Sequence, residues 1–158
     1  MQQQVSSEKG AWISIIAYLF LSILKLLFGY ITDSKALIAD GLNNTTDIIA
    51  SVAVLIGLKV AKIPADDDHR YGHSKAETIS SMVASLVMIT ISIQVIISTI
   101  SAIFNKEAES PDMLAGYIAI FGSIVMFFVY RYNMTLATKT ESHALKAAAK
   151  DNFSDALV

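Results

Sequence analysis

The chain has 158 residues, of which 54% are hydrophobic and only 16% are charged. Soluble domains usually carry about 25% charged residues, so this composition, with a mean hydropathy of +0.53, favours a membrane protein. The formal net charge of −2, without any basic block, argues against a nucleic-acid partner. The absence of cysteine excludes disulfides and thiolate metal ligands.

Five apolar segments follow a polar start that lacks the basic region and cleavage site of a secretory signal. They cover residues 12–31, 36–58, 78–104, 113–130 and 142–158. A membrane-spanning helix needs about 20 predominantly apolar residues, and the third segment contains no charged residue at all. The sequence therefore predicts an all-α membrane protein, a helical bundle of about five hydrophobic segments, and disfavours a soluble helical bundle.

The fifth segment keeps its helical character up to Val158. We therefore expect the sequence to be cut within its fifth span.

Basic residues concentrate in alternate connections between the segments. One group contains Lys9, Lys59, Lys62, Arg70, Lys75, Arg131, Lys139 and Lys146. The other contains only Lys35 and Lys106, beside Asp33, Glu107, Glu109 and Asp112. Cytosolic loops carry the excess of lysine and arginine in membrane proteins, so we expect the N-terminus to be cytosolic, together with the connections after the second and fourth segments.

Polar side chains interrupt two of the apolar segments at a helical spacing. In the second segment, ADGLNNTTD, Asn43 and Asp47 lie four residues apart, with Asp40 on the same stripe. In the fifth segment, SHALKAAAKDNFSD, Asp151 and Asp155 repeat that spacing. Since one charge at the centre of a bilayer costs at least about 2.5–3.5 kcal/mol on insertion scales, these side chains require compensation.

A divalent cation provides that compensation if the two helices pack face to face. Three carboxylates and one amide carbonyl would then surround the ion, and protons would compete for the same oxygens. The alternatives are polar contacts between helices or the mouth of a water-filled pore. The sequence leaves two roles open for Asp40, a ligand of the site or a supporting residue. Lys25 of the first segment is a candidate partner that would balance a carboxylate such as Asp40.

The connection PADDDHRYGHSKAE combines acidic residues with two histidines. His69 and His73 are four residues apart and Asp66 precedes them, so one helical turn would let the three converge on a metal ion. The alternative is a solvated acidic turn after Pro64. The H-E-x-x-H signature of zinc metalloproteases is absent, which argues against an enzyme.

Three stretches resemble the N-terminal membrane region of the cation diffusion facilitators. They are ALIADGLNNTTDIIAS, PADDDHRYGHSKAE and SHALKAAAKDNFSD. The resemblance implies a domain of six transmembrane helices, a cytosolic C-terminal domain, a homodimer in the plasma membrane, and efflux of divalent metal ions in exchange for protons by alternating access. The present sequence would then lack the end of the fifth helix, the sixth helix and the C-terminal domain.

The resemblance also assigns site residues. The family's transport site falls on Asn43, Asp47, Asp151 and Asp155, and the matching loop positions of some relatives, here Asp66, His69 and His73, bind a second metal. Zinc-type members have a histidine in one transport pair, whereas this set offers only oxygen, which suits Mn²⁺.

The resemblance therefore implies Mn²⁺ as the cargo, with Fe²⁺, Co²⁺ or Zn²⁺ as further candidates and no permanent cofactor. An intramembrane metal-dependent enzyme and a purely structural membrane bundle are the alternatives.

Overall fold

The computed structural model describes residues 2–105 and 113–157, which form five α-helices. The helices are α1 (Gln2–Ile31), α2 (Lys35–Val60), α3 (Lys75–Asn105), α4 (Met113–Thr140) and α5 (His143–Leu157). No strand occurs within the described ranges, which confirms the predicted all-α class. The charged residues predicted between the third and fourth segments, Lys106, Glu107, Glu109 and Asp112, lie outside the described residues.

Four of the helices are long and apolar enough to cross a membrane. The candidate spans are Ser7–Ile31, Lys35–Val60, Lys75–Ser98 and Met113–Thr140. Helix α5 covers 15 residues, fewer than the roughly 20 that a span requires, so a fifth span stays a prediction.

The helices extend beyond the apolar segments at one end of the bundle. Helix α1 begins at Gln2 rather than at residue 12, and α4 continues to Thr140 rather than ending at residue 130. Apolar length marks only the part of a helix suited to lipid, whereas backbone hydrogen bonding continues into polar sequence. The two extensions are in contact, because the Ser7 hydroxyl donates to Thr140 Oγ1 over 2.8 Å.

Two short turns redirect the chain, and each uses a serine to start the next helix. Asp33 (φ 50°) and Glu141 (φ 52°) take the left-handed conformation that ends α1 and α4. The hydroxyls of Ser34 and Ser142 then accept hydrogen bonds from backbone N–H groups three residues later. Unpaired N–H groups of the first helical turn are satisfied in this way.

Helix α1 lies at the centre of the packing. It packs on α2 and α4 and also contacts α5, while α5 packs mainly on α4 and α3 and more lightly on α2. One core cluster joins α1, α2, α3 and α5, and contains Ala11, Val54, Leu55, Leu58, Ala84, Ala144 and Ala148. A second joins α1, α4 and α5, and contains Ala17, Tyr18, Leu21, Met126, Val129 and Ala156. Six of these thirteen residues are alanines, and small side chains allow close approach of helices in lipid.

Helix α3 lies at the edge of the bundle. Only 11% of the residues in its most apolar stretch are buried. Isoleucines such as Ile89, Ile93 and Ile97 project outward. Soluble proteins rarely expose an apolar surface of this extent. The exposed face therefore fits a helix surrounded by lipid.

Contact between α2 and α3 depends on one glycine. A Cβ atom at Gly57 would lie 2.0 Å from Ser80 Oγ and 2.2 Å from Ser80 Cβ, so no other residue fits without moving the helices apart. By contrast, a Cβ atom at Gly116 of α4 would meet no atom within 4 Å.

We expect Gly57→Ala to lower the stability of the bundle by about 1–3 kcal/mol, the usual cost of overpacking. Gly116→Ala adds the same methyl group in open space and is the matched control. Thermal unfolding of the two purified variants measures the difference. Equal melting temperatures would show that α2 and α3 are not held at this close distance.

Candidate functional site

Helix α2 presents its predicted polar residues on the face that points into the bundle. Asp47 is only 2% exposed, and Asn43 is half-buried. The Asn43 side-chain amide donates to Asp47 Oδ2 over 3.3 Å, as their four-residue spacing allows. The two predicted oxygen donors of α2 therefore lie next to each other on its inner surface.

Helix α5 presents its two aspartates to the same interior. Asp151 is buried and Asp155 is half-buried. Helices α2 and α5 are in contact, and the carboxylates of Asp151 and Asp155 interact electrostatically with Asp47. The structure thus brings the three predicted carboxylates into one region between the two helices.

This region is more open than a closed metal cage. Among the described residues, the only group of three histidine or carboxylate side chains whose ligand atoms all lie within 4.8 Å is Asp66, His69 and His73. The ligand atoms of Asp47, Asp151 and Asp155 therefore spread over a wider space than that.

Sequence reasoning missed a buried polar network around the α5 aspartates. Tyr18 of α1, fully buried, donates its hydroxyl to Asp155 Oδ2 over 2.5 Å. The network continues through three completely buried residues, which are Asn152 of α5, Asn133 of α4 and Ser14 of α1. The only signal in the sequence was an isolated asparagine or serine in each helix, which is usual at helix contacts.

Asn44 is a second feature that the sequence left unassigned. It follows Asn43 on α2, is completely buried, and neither its amide nitrogen nor its carbonyl oxygen has a hydrogen-bond partner within the described part of the chain. Native proteins leave few buried polar groups unsatisfied. Its position one turn from Asp47 adds a further amide group to the polar face of α2.

Asp40 has a different partner from the other carboxylates. Lys25 Nζ lies 2.7 Å from Asp40 Oδ2, and the lysine side chain is only 4% exposed. Gly122 of α4 makes room for this lysine, since a Cβ atom there would lie 3.0 Å from Lys25 Cε. The pairing suggested by the sequence is confirmed, and it favours the supporting role for Asp40.

The loop triad lies outside the bundle, between α2 and α3. Residues 61–74 contain turns but no helix, so the convergence on a helix that the sequence suggested does not occur. Gly72, with φ at 76°, instead reverses the chain between the two histidines. His69 Nδ1 and His73 Nε2 then lie 3.4 and 3.5 Å from the two carboxylate oxygens of Asp66.

Hydrogen bonds orient two members of the triad. The His69 backbone N–H donates to Asp66 Oδ1 over 2.6 Å, and this bond is the main cause that lowers the pKa of the Asp66 carboxyl. His73 Nδ1 lies 3.3 Å from the Pro64 carbonyl oxygen, and because a carbonyl can only accept, Nδ1–H is the donor in this contact. A second-sphere carbonyl of this kind commonly orients metal-binding histidines.

The fold and these sites define an integral membrane helical bundle with an acidic interior. Residues 11–158 match the cation efflux transmembrane domain. The chain therefore belongs to the cation efflux family, which confirms the resemblance to the cation diffusion facilitators.

Relatives within the family are similar across most of this chain. It is 56% identical to the manganese efflux system protein MneS of Bacillus subtilis (strain 168), over 96% of this chain and 52% of that protein. It is 51% identical to the uncharacterized transporter YdbO of the same strain, again over 96% and 52%. It is 34% identical to the manganese efflux system protein MneP of that strain, over 98% and 52%. The chain spans about half the length of the curated relatives it matches.

We expect Lys25→Met to destabilise the bundle, because Asp40 would keep its charge without a partner. Loss of one member of a buried ion pair costs about 3–5 kcal/mol, and the effect is smaller here because the Asp40 side chain is 23% exposed. The double variant Lys25→Met/Asp40→Asn removes both charges and should recover most of the loss. Thermal unfolding of the three proteins tests this, and a double variant no more stable than the single one would contradict it.

Proposed function

We propose that this domain carries the transport site of a protein that exports divalent metal ions from the cytosol, with Mn²⁺ as the preferred cargo. One observation carries the proposal: Asp47 of α2 and the pair Asp151 and Asp155 of α5 lie in the interior between two helices that are in contact, close enough to interact electrostatically. Like charges in a low-dielectric interior repel strongly. A divalent ion between the two helices relieves that repulsion.

The chemistry of the donors supports Mn²⁺. The proposed ligands are the Asn43 amide oxygen and the carboxylates of Asp47, Asp151 and Asp155, and none of them is a nitrogen or sulfur donor. Carboxylate and carbonyl ligands suit manganese, whereas imidazole suits zinc, copper and nickel. The names of the relatives MneS and MneP agree with this choice. Fe²⁺, Co²⁺ and Zn²⁺ are proposed as secondary cargo, because an oxygen site separates metals by geometry more than by affinity.

Exchange with protons follows from the same ligands. A carboxylate must lose its proton to coordinate a metal ion, so metal and protons compete for one set of oxygens. If the site opens in turn to the two sides of the membrane, metal entering from the cytosol displaces protons, and protons entering from outside displace metal. This sequence of events is metal–proton antiport by alternating access.

Contacts at the ends of the helices support a cytosolic N-terminus. Lys62 Nζ lies 2.6 Å from Glu8 Oε1, and the Ser142 hydroxyl donates to Glu77 Oε1 over 2.7 Å. The start of α1, the α2–α3 connection and the α4–α5 turn therefore meet at one end of the bundle. Most of the basic residues predicted to be cytosolic belong to these parts of the chain, as the positive-inside rule requires.

We also propose that Asp66, His69 and His73 bind a second, accessory metal ion. The support is the convergence of one carboxylate and two imidazoles, with His73 oriented by the Pro64 carbonyl. Mixed nitrogen and oxygen donors suit Zn²⁺. The plasma membrane location and the homodimer stay predictions.

The transport proposal is tested with Asp47→Asn and Asp155→Asn. Each change keeps the shape of the side chain and removes one charge from the proposed site. We expect inside-out vesicles, whose outer surface is the cytosolic one, to accumulate Mn²⁺ with the unmodified protein and at least about 10-fold more slowly with either variant, given the charge that a hard cation requires.

Asp33→Asn is the matched control for this experiment, because Asp33 lies in the exposed α1–α2 turn and asparagine tolerates its positive φ. Mn²⁺ accumulation should be unchanged in that variant. Undiminished transport by both site variants would remove the proposed ligand set. Accumulation only in right-side-out vesicles would reverse the proposed orientation.

The accessory site is tested with Asp66→Ala, and Asp68→Ala serves as the control from the same exposed loop. Titration calorimetry with Zn²⁺ should show one bound equivalent fewer in Asp66→Ala than in Asp68→Ala. Equal stoichiometry in both variants would argue against a metal ion in the loop.

A further inference from the structure

The phenol of Tyr18 lies against both aspartates of α5. Its hydroxyl oxygen is 2.5 Å from Asp155 Oδ2 and 3.3 Å from Asp151 Oδ2. The tyrosine is completely buried among residues of α1, α4 and α5. The hydroxyl therefore contacts one carboxylate oxygen of each aspartate, and its single proton is shared unequally, with the shorter bond to Asp155.

The position of that hydroxyl is fixed from the opposite side. The Asn152 amide donates to the Tyr18 oxygen over 2.9 Å. The Asn152 carbonyl oxygen in turn accepts hydrogen bonds from the Ser14 hydroxyl at 3.1 Å and from the Asn133 amide at 2.9 Å. Because Asn133 Nδ2 also donates to Ser14 Oγ over 2.7 Å, the amide plane of Asn152 has little freedom to rotate.

This arrangement limits how the aspartates can bind an ion. A carboxylate offers two oxygens, and it can coordinate a cation through one or both of them. The Oδ2 atoms of Asp151 and Asp155 are turned toward Tyr18. Tyr18 does not contact the Oδ1 atoms through these bonds, so Oδ1 is the oxygen of each aspartate that can turn toward an ion in the bundle without competing with the tyrosine hydroxyl.

We infer that Tyr18 is a specificity-determining positioning residue of the transport site, which holds Asp151 and Asp155 in one-oxygen coordination and thereby disfavours Ca²⁺. This inference rests on the proposed function, because it assigns Tyr18 a part in the same site. The residue acts through the two aspartates and through the donors that fix its hydroxyl.

The discrimination follows from coordination number. Ca²⁺ takes six to eight oxygens and reaches the higher numbers through two-oxygen carboxylates. Mn²⁺ is satisfied by six oxygens in an octahedron. Two aspartates restricted to one oxygen each disfavour the seven or eight ligands that Ca²⁺ can take, whereas together with Asn43, Asp47 and water they supply the six ligands of Mn²⁺.

The test compares Tyr18→Phe with the unmodified protein reconstituted in liposomes, and measures Mn²⁺ uptake with and without Ca²⁺. Removing the hydroxyl frees both Oδ2 atoms while keeping the ring that fills the core. We expect the inhibition constant for Ca²⁺ to fall by about 10-fold or more, and the KM for Mn²⁺ to rise by a similar factor, the range seen when groups that orient metal ligands are removed. The maximal rate should change less than the KM.

Tyr132→Phe removes a hydroxyl from the exposed surface of α4 and is the matched control, with no expected change in either constant. Asn152→Ala removes the donor that fixes the Tyr18 hydroxyl, so it should shift the Ca²⁺ inhibition constant in the same direction by a smaller factor. If Tyr18→Phe does not yield folded protein, Asn152→Ala decides the question.

Unchanged Ca²⁺ inhibition in a folded Tyr18→Phe protein that transports Mn²⁺ would overturn the inference and leave the transport proposal standing. If Asn152→Ala is the deciding variant, unchanged Ca²⁺ inhibition in that variant would likewise overturn the inference. Absence of Mn²⁺ transport by the unmodified protein would instead overturn the proposed function, and the inference with it. A failure of the inference would appear only in the variants, whereas a failure of the proposed function would already appear in the unmodified protein. The two failures are therefore distinguishable.

Discussion

The structure depends on the compensation of carboxylates inside an apolar bundle. A buried charge without a partner is costly, so each carboxylate needs an ion pair or a hydrogen bond. Asp40 is paired with Lys25, Asp47 accepts from the amide of Asn43, and Tyr18 donates to Asp155 and lies within 3.3 Å of Asp151. These partners differ in charge, and this difference separates the role of Asp40 from the role of the other carboxylates. The ion pair of Asp40 already supplies a full positive charge, whereas the partners named for the other carboxylates are neutral donors, as the proposed transport site requires.

Helix α1 supplies two of these partners. Lys25 and Tyr18 are seven residues apart, which places them two turns apart on one face of the helix. That face is in contact with α2 through Lys25 and with α5 through Tyr18, so α1 fixes the two helices that carry the candidate ligands. If α2 and α5 move relative to each other during transport, the contacts of Lys25 with α2 and of Tyr18 with α5 either break or move with the helices. Helix α1 is therefore part of the site even though it contributes none of the proposed ligands.

The two candidate metal sites differ in setting and in donor chemistry. The intramembrane group offers oxygen donors in a desolvated interior, where charge and hydrogen bonding decide what binds. The loop triad is largely exposed and adds two imidazoles to one carboxylate, so water and salt screen its electrostatics. The triad lies at the same end of the bundle as the start of α1 and the α4–α5 turn. Under the proposed orientation, that is the side from which metal ions enter.

The sequence by itself determined the helical class, the four long apolar spans, and the spacing that puts Asn43 against Asp47. Local periodicity is sufficient for these features, because residues four apart on a helix are neighbours in any fold. The boundaries of the helices were less accurate, since hydropathy marks lipid contact and not the end of backbone hydrogen bonding. The positions of Tyr18, Asn133 and Asn152 around the α5 aspartates were decided only by the tertiary structure. Their contacts join helices more than 100 residues apart in sequence, or cross from α4 to α5, and no local pattern encodes which helix faces which.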